Sequence, residues 1–167
     1  HGGVLVPRAG ERPDDIDSLE AVVLTSRELS DLDMLASGAL SPLTGFMGRE
    51  DYDGVVEAMR LANGLRWALP VCLSVAEAPK GDRVALADEA GRRLAVLDVE
   101  EVYSYEKEHE AEQCFRTTDG EHPGVAQLFA QEGSYLAGPV TVFERLEPAF
   151  PELHRDPTDT RALFAER

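Results

Sequence analysis

The stretch SGALSPLTGFMGREDY, residues 37–52, mixes the residues of a surface turn with side chains that water disfavours. Ser37, Pro42, Thr44 and Gly45 suit a bend, yet Leu40, Leu43, Phe46 and Met47 stand among them. A substrate loop, a docking face and a piece of irregular core all have this composition, and the flanking sequence decides among them. On the N-terminal side, Thr25-Ser26-Arg27-Glu28 has the spacing of a capping box, in which hydroxyl and carboxylate satisfy each other's free amides. Leu29, Leu32, Leu35 and Ala36 then recur at helical spacing, and Gly38 suits a left-handed stop. On the C-terminal side a second helix is expected from Arg49 to about Ala62. Tyr52, Val55, Val56 and Met59 fall at i, i+3, i+4 and i+7, and Asn63-Gly64 ends it. A segment joining two amphipathic helices crosses the core they share, so Phe46 is expected to be buried.

Further out, HGGVLV (1–6) and LEAVVLT (19–25) read as short strands separated by a polar turn containing Pro13. WALPVCLSV (67–75), DRVALAD (82–88) and RRLAVLDVEEVYSY (92–105) are rich in Val and Leu, with turn residues between them. Lys80-Gly81-Asp82 and Glu89-Ala90-Gly91 are plausible hairpin turns, which points to an antiparallel or barrel-like sheet. A charged helix follows at about 106–116, and another begins at Pro123, where the missing donor costs nothing. SYLAGPVTVFERLE (134–147) returns as a strand. Asp156-Pro157-Thr158-Asp159 then opens a capped helix that reaches Arg167.

The chain of 167 residues carries 32 acids against 16 bases, a net charge of −16. That balance opposes binding to phosphate backbones, where affinity comes from neutralising phosphates with Lys and Arg. The acids gather at 11–20, 100–112 and 144–159, read as solvated faces and turns. No apolar run approaches the roughly 18 residues that crossing a bilayer needs, and no signal peptide is read at the start. Cys72 and Cys114 are too few for a disulfide scaffold and read as reduced thiols of a cytoplasmic protein.

Residues that could carry chemistry do not assemble into a recognisable motif. The 14 glycines are scattered, with neither GxGxxG nor GxxxxGK[ST] among them. HEAEQC (109–114) starts like a zinc-protease helix, but Gln113 stands where a second histidine is required, and a neutral amide is a poor zinc ligand. His109 is therefore read as a surface residue paired with Glu106 or Glu112. His122 precedes Pro123 as a helix entry, and Thr118 and Asp119 fit turn and capping roles. His1 and His154 have no nucleophile or carboxylate arrangement around them that makes a triad. Cys114 lies on an acidic helix whose carboxylates raise its thiol pKa, which makes it a poor nucleophile. Trp67 and the tyrosines are read as strand or helix core.

The long stretch RELSDLDMLASGALSPLTGFMGREDYDGVVEAMRLANGLRWALPV (27–71) resembles the N-terminal region of the ATP sulfurylase (sulfate adenylyltransferase) family. That family has a D-L-E-M-L-A-like helix, then S-G-A-F-S-P-L-T-G-F-M, a D-Y pair and a W-x-x-P-V strand; Leu40 replaces the usual phenylalanine. The resemblance continues through His1-Gly2-Gly3, Tyr103 with Glu110-Ala111, Thr117/Asp119/His122-Pro123-Gly124, Gly138-Pro139-Val140 and Thr160-Arg161-Ala162-Leu163-Phe164.

What the resemblance implies is an α+β fold, a PUA-like β-barrel with added helices, spanning residues 1–167 as a single domain. It implies the N-terminal scaffold domain of an enzyme of sulfur assimilation that makes adenosine 5'-phosphosulfate and pyrophosphate from ATP and sulfate. The family's nucleotide and sulfate site lies in the next domain, around Q-T-R-N-P and an H-x-x-H pair. Neither motif occurs here, and His122-Pro123-Gly124-Val125 cannot replace the pair. No catalytic, cofactor-binding or metal residue is therefore assigned to this chain, which is expected to be inactive alone; ATP with Mg would be the parent's substrate. The expected partners are the parent's own catalytic domain and other copies in a homo-oligomer, with no nucleic acid and no membrane. Two other readings stay open: an RNA-binding PUA-like module and an autonomous enzyme with an unrecognised site.

Overall fold

A computed structural model describes residues 3–148 and 150–166. Among these residues the strands are β1 Ala21–Val23, β2 Gly45–Phe46, β3 Leu73–Val75, β4 Arg83–Ala87, β5 Arg93–Asp98, β6 Glu101–Ser104 and β7 Ser134–Val142. The α-helices are α1 Ser26–Ser37, α2 Arg49–Ala58, α3 Lys107–Phe115, α4 Pro123–Ala130 and α5 Pro157–Ala165. The fold is α+β. The chain divides into two compact units, one made of His1–Gly45, Gly81–Asp98 and Pro139–Arg167, the other of Phe46–Lys80 and Val99–Gly138.

In the first unit β1 runs parallel to β4, with Ala21 opposite Ala85 and Val23 opposite Ala87. β4 and β5 form the antiparallel hairpin expected at Glu89-Ala90-Gly91, closed by Gly91 N–H to the Asp88 carbonyl at 2.9 Å. β5 then pairs antiparallel with the end of β7, Ala95 opposite Val142. The parallel β1–β4 pair makes the sheet mixed rather than antiparallel throughout. Ile16, Ala85 and Val96 pack as a buried cluster with Leu19 and Phe143 against them. α1 starts with the expected capping box between Thr25 and Glu28, and Gly38 closes it with a φ of 79°. That left-handed backbone carries no penalty for a residue without a Cβ.

Of the strand expected over residues 1–6, the described part, 3–6, is not strand. His1 and Gly2 lie outside the described residues, and the backbone that follows is spent on other partners. Val6 N–H donates to Ser41 Oγ at 2.7 Å, and Arg8 N–H donates to the Leu35 and Ala36 carbonyls at the end of α1. Helix ends leave carbonyls that must be satisfied, and this segment satisfies them. Only Ala9 bridges to Val142.

In the second unit β3 and β6 both pair antiparallel with the beginning of β7, Leu73 and Val102 each facing Leu136. β3 does not pair with β4, so Lys80-Gly81-Asp82 is not a hairpin turn. The apolar run 67–75 is strand only over its last three residues, and 92–105 breaks into β5 and β6. α2 stops four residues early, at Ala58, and Met59 after it adopts a left-handed φ of 53° and is 52% exposed. The Asn63-Gly64 turn follows as a separate feature. Tyr52, Val55 and Val56 are buried as their spacing predicts, and Pro123 occupies the first turn of α4.

The opening stretch is core. Leu43 is buried in the first unit, Phe46 and Met47 in the second, Phe46 at 3% exposure. Met47 exchanges polar contacts with Val71, its N–H donating to the Val71 carbonyl at 3.0 Å, and its own carbonyl accepts the Tyr103 hydroxyl at 2.8 Å. α1 and α2 belong to different units, so Leu43 and Phe46 serve different cores.

Candidate functional site

The densest polar arrangement lies in the second unit, where α2 and α3 pack together. Glu110 on α3 is buried, and its Oε2 accepts the hydroxyls of Tyr52 at 2.9 Å and Tyr135 at 3.0 Å. Tyr135 also donates toward Gln131 Oε1 at 2.9 Å and stacks on Tyr105, with centroids 3.7 Å apart. Tyr103 completes the cluster, 5.6 Å from Tyr52 and 3.8 Å from Cys72 Sγ. Burial drives the phenol pKa values of Tyr52, Tyr103 and Tyr135 upward, and the Glu110 carboxylate adds to the effect at Tyr52 and Tyr135. These hydroxyls stay protonated and donate; they are not poised to act as bases.

Beside this cluster a cleft of about 340 Å³ is lined by Arg49, Asp53, Glu57, Ser104, Glu106 and His109 among others. Its one arginine and its histidine are already engaged. Arg49 donates to Asp53 at 3.1 Å and to the Ser104 carbonyl at 2.6 Å, and its backbone N–H donates to Glu101 at 2.8 Å. His109 meets Glu57 of α2 at 2.5 Å, not Glu106 or Glu112. A histidine held by a carboxylate is an acid–base pair in principle. Here the cleft offers carboxylates and one engaged guanidinium, an environment that repels an anionic phosphate or sulfate.

The other expected residues scatter. His122 caps the start of α4 and lies 5.3 Å from the Phe115 ring. Asp119 receives the Glu121 N–H at 2.9 Å, a turn role. Gln113 only accepts from Arg116. His154 shares Asp156 with Arg145, whose guanidinium also grips Asp33 at 2.9 Å. His1 lies outside the described residues. Burial pushes the Cys114 thiol up to about 11, with Glu110 contributing, so the expected direction holds but burial is the larger cause. Trp67 is half-buried and lies outside any strand, so its assignment to the core is corrected. Among the described residues no three His, Cys, Asp or Glu side chains stand together as metal ligands.

Reading the residues one by one missed Glu110, which was grouped with a solvated acidic run. Its signal was the tyrosine-rich stretch YSYEKEHEAE (103–112), because a carboxylate inside an aromatic cluster needs hydroxyl donors.

Comparison with known proteins adds a family to this geometry. The family model described as a PUA-like domain matches residues 1–145. The chain is 47% identical to a protein named sulfate adenylyltransferase from Synechococcus sp. (strain JA-3-3Ab), across all of this chain and 46% of that one. It is also 47% identical to a sulfate adenylyltransferase from Chloroflexus aurantiacus, across all of this chain and 45% of the relative. A solved structure titled hexameric APS kinase from Thiobacillus denitrificans superposes with a TM-score of 0.67 at 29% identity, covering 99% of this chain and 31% of the other. The chain thus spans about half the length of the curated relatives it matches.

Proposed function

The chain belongs to the PUA-like domain family, and from that premise we propose that it is the N-terminal scaffold domain of a sulfate adenylyltransferase. The observation that carries this reading is the coverage: relatives of that name match the whole chain at 47% identity while extending to about twice its length. The parent forms adenosine 5'-phosphosulfate and pyrophosphate from ATP, taken with Mg, and sulfate. Its reacting groups are supplied by a catalytic region outside these residues, and this domain assigns none of its own to catalysis, cofactor or metal.

The electrostatics agree. Joining sulfate to a phosphorus needs cations and oriented donors where negative charge collects. Here Arg12, Arg49, Arg83, Arg92, Arg93 and Arg145 are already paired with carboxylates. α5 supports the same reading. It buries no residue, and Leu163 and Phe164 are 50% and 73% exposed. Yet its start is fixed by a capping box between Asp156 and Asp159. A fixed helix with a bare apolar face is a docking surface. The parent's catalytic region is the occupant we assign, in a cytoplasmic homo-oligomer that binds neither nucleic acid nor membrane. Among the described residues no helix is long and apolar enough to cross a membrane.

The test is pyrophosphate release from ATP, Mg and sulfate by residues 1–167 against the full-length parent. The domain alone is expected to show none. Turnover by the domain comparable to the parent's would overturn the scaffold reading in favour of an autonomous enzyme.

A further inference from the structure

Residues 58–76 contain no Asp or Glu, the longest such run in a chain where acids outnumber bases two to one. Within it Met59, Arg60, Arg66 and Trp67, with Ala58 and Ala68, line an open groove of about 460 Å³ in the second unit. The Arg60 guanidinium donates to the Gly64 carbonyl at 2.9 Å. Among the described residues neither Arg60 nor Arg66 has a carboxylate within ion-pair distance, whereas six other arginines do. The groove is thus a positive, apolar place on an acidic protein.

It is also built rigidly. Trp67 N–H donates to the Met59 carbonyl at 2.9 Å, and Leu61 N–H to the Leu65 carbonyl at 2.9 Å. Ala62 N–H reaches Asp51 Oδ1 at 2.7 Å, and Leu61 is buried at 3% exposure. Arg60 N–H donates to the Gly54 carbonyl, and a Cβ on Gly54 would lie 2.6 Å from the Arg60 carbonyl oxygen, so α2 needs a glycine there. This pinned loop holds Met59 at 52% and Leu69 at 47% exposure. Met59 does so from a left-handed backbone that a side chain rarely adopts.

We propose that this loop is a docking site for an acidic segment of another protein, one carrying a single large apolar side chain. Trp, Arg and Met are the residues that dominate binding surfaces, and a preorganised surface loses little entropy on binding. The apolar side chain enters against Trp67 and Met59, and the segment's carboxylates supply the counter-ions that Arg60 and Arg66 lack. The occupant is a short polypeptide segment rather than a nucleic acid, because the groove's two arginines can match a few carboxylates but not a continuous phosphate backbone.

Trp67 is the chain's only tryptophan, so its fluorescence reports on the groove directly. The probe is a twelve-residue peptide of glutamates around a central leucine, titrated into the 167-residue chain at low salt. A saturable shift in Trp67 emission is expected. It should weaken at least about tenfold in R60E/R66E and fall with added salt. Far-UV circular dichroism of R60E/R66E checks that these exposed changes leave the fold intact. A shift equally well produced by a lysine-based peptide, or unchanged by R60E/R66E, overturns the proposal. So does a shift produced by polyuridylate RNA, or one that appears with protein concentration alone, which would make a second copy the occupant. No shift at millimolar peptide also overturns it.

Discussion

Oε2 of Glu110 lies 2.9 Å from the hydroxyl of Tyr52, although 58 positions separate the two residues in sequence. The carboxylate is buried, so the hydroxyls it receives replace the water it lost. Among the described residues Glu110 is the acceptor shown for the Tyr52 hydroxyl, whereas Tyr135 can also donate toward Gln131.

Glu110→Ala should therefore orphan Tyr52 more than Tyr135 and cost about 1–3 kcal/mol, the usual penalty for a buried donor left without a partner. Glu110→Gln keeps an acceptor and should cost less. Urea melts of the two variants against the parent chain measure the order; equal stability of all three would mean the cluster contributes nothing to folding.

Phe46→Ala should cost about 3–5 kcal/mol, because Phe46 is 3% exposed. An exposed site would change by no more than about 0.5 kcal/mol. The same urea melts separate these outcomes, and a variant of full stability would remove residues 43–47 from the core.

Asp31, half-buried on α1, has its carboxyl pushed up to about 6 by burial, with Arg27 pulling the other way. The folded chain thus binds this proton more tightly than the unfolded chain, whose value is 3.8. Its contribution is fully present below pH 3.8 and is lost as pH rises through about 6. Asp31→Asn should consequently raise the melting temperature at pH 8 and leave it nearly unchanged at pH 3. An equal effect at both pH values would contradict the assignment.

Asp156 behaves in the opposite sense. Hydrogen bonds from Arg145, and then from His154, hold its carboxyl below the ordinary carboxylate value, against an opposing effect of burial. That stabilisation is present above the unfolded value of 3.8 and is lost as pH falls through the lower folded one. Amide protection factors over 158–165, taken relative to the unstructured chain at the same pH, should fall on acidification in the parent chain. In Arg145→Met protection should already be low at neutral pH, and its pH dependence should be weaker. Identical profiles would show that Arg145 does not hold the start of α5.

Local chemistry was legible in the sequence because its causes lie within a few residues. The Thr25–Glu28 and Asp156–Asp159 boxes and the hairpin at 89–91 satisfy backbone groups near at hand, and the proline that opens α4 removes a donor that would lack a partner. The burial of Phe46 was legible too, although the flanking helices do not share the one core expected of them, since α1 and α2 belong to different units. The resemblance over 27–71 implied a PUA-like fold, and the PUA-like match over residues 1–145 establishes that family. It assigned no catalytic residue, and that assignment stays part of the proposal.

Tertiary structure decided the rest, where the partner is distant. Residues 1–6 look like a strand, but Val6 N–H goes to Ser41 and Arg8 N–H, just beyond, to the end of α1. Lys80-Gly81-Asp82 has turn chemistry, yet β3 finds its partner in β7, some sixty residues on. Glu110 looks like one more solvated acid until Tyr52 and Tyr135 arrive from 58 and 25 positions away. Met59 fits the helical period, but the Arg60–Gly54 contact turns the chain there and leaves it exposed. Residue pattern states what each segment can satisfy by itself; only the folded chain determines which distant donor, acceptor or apolar face reaches it first.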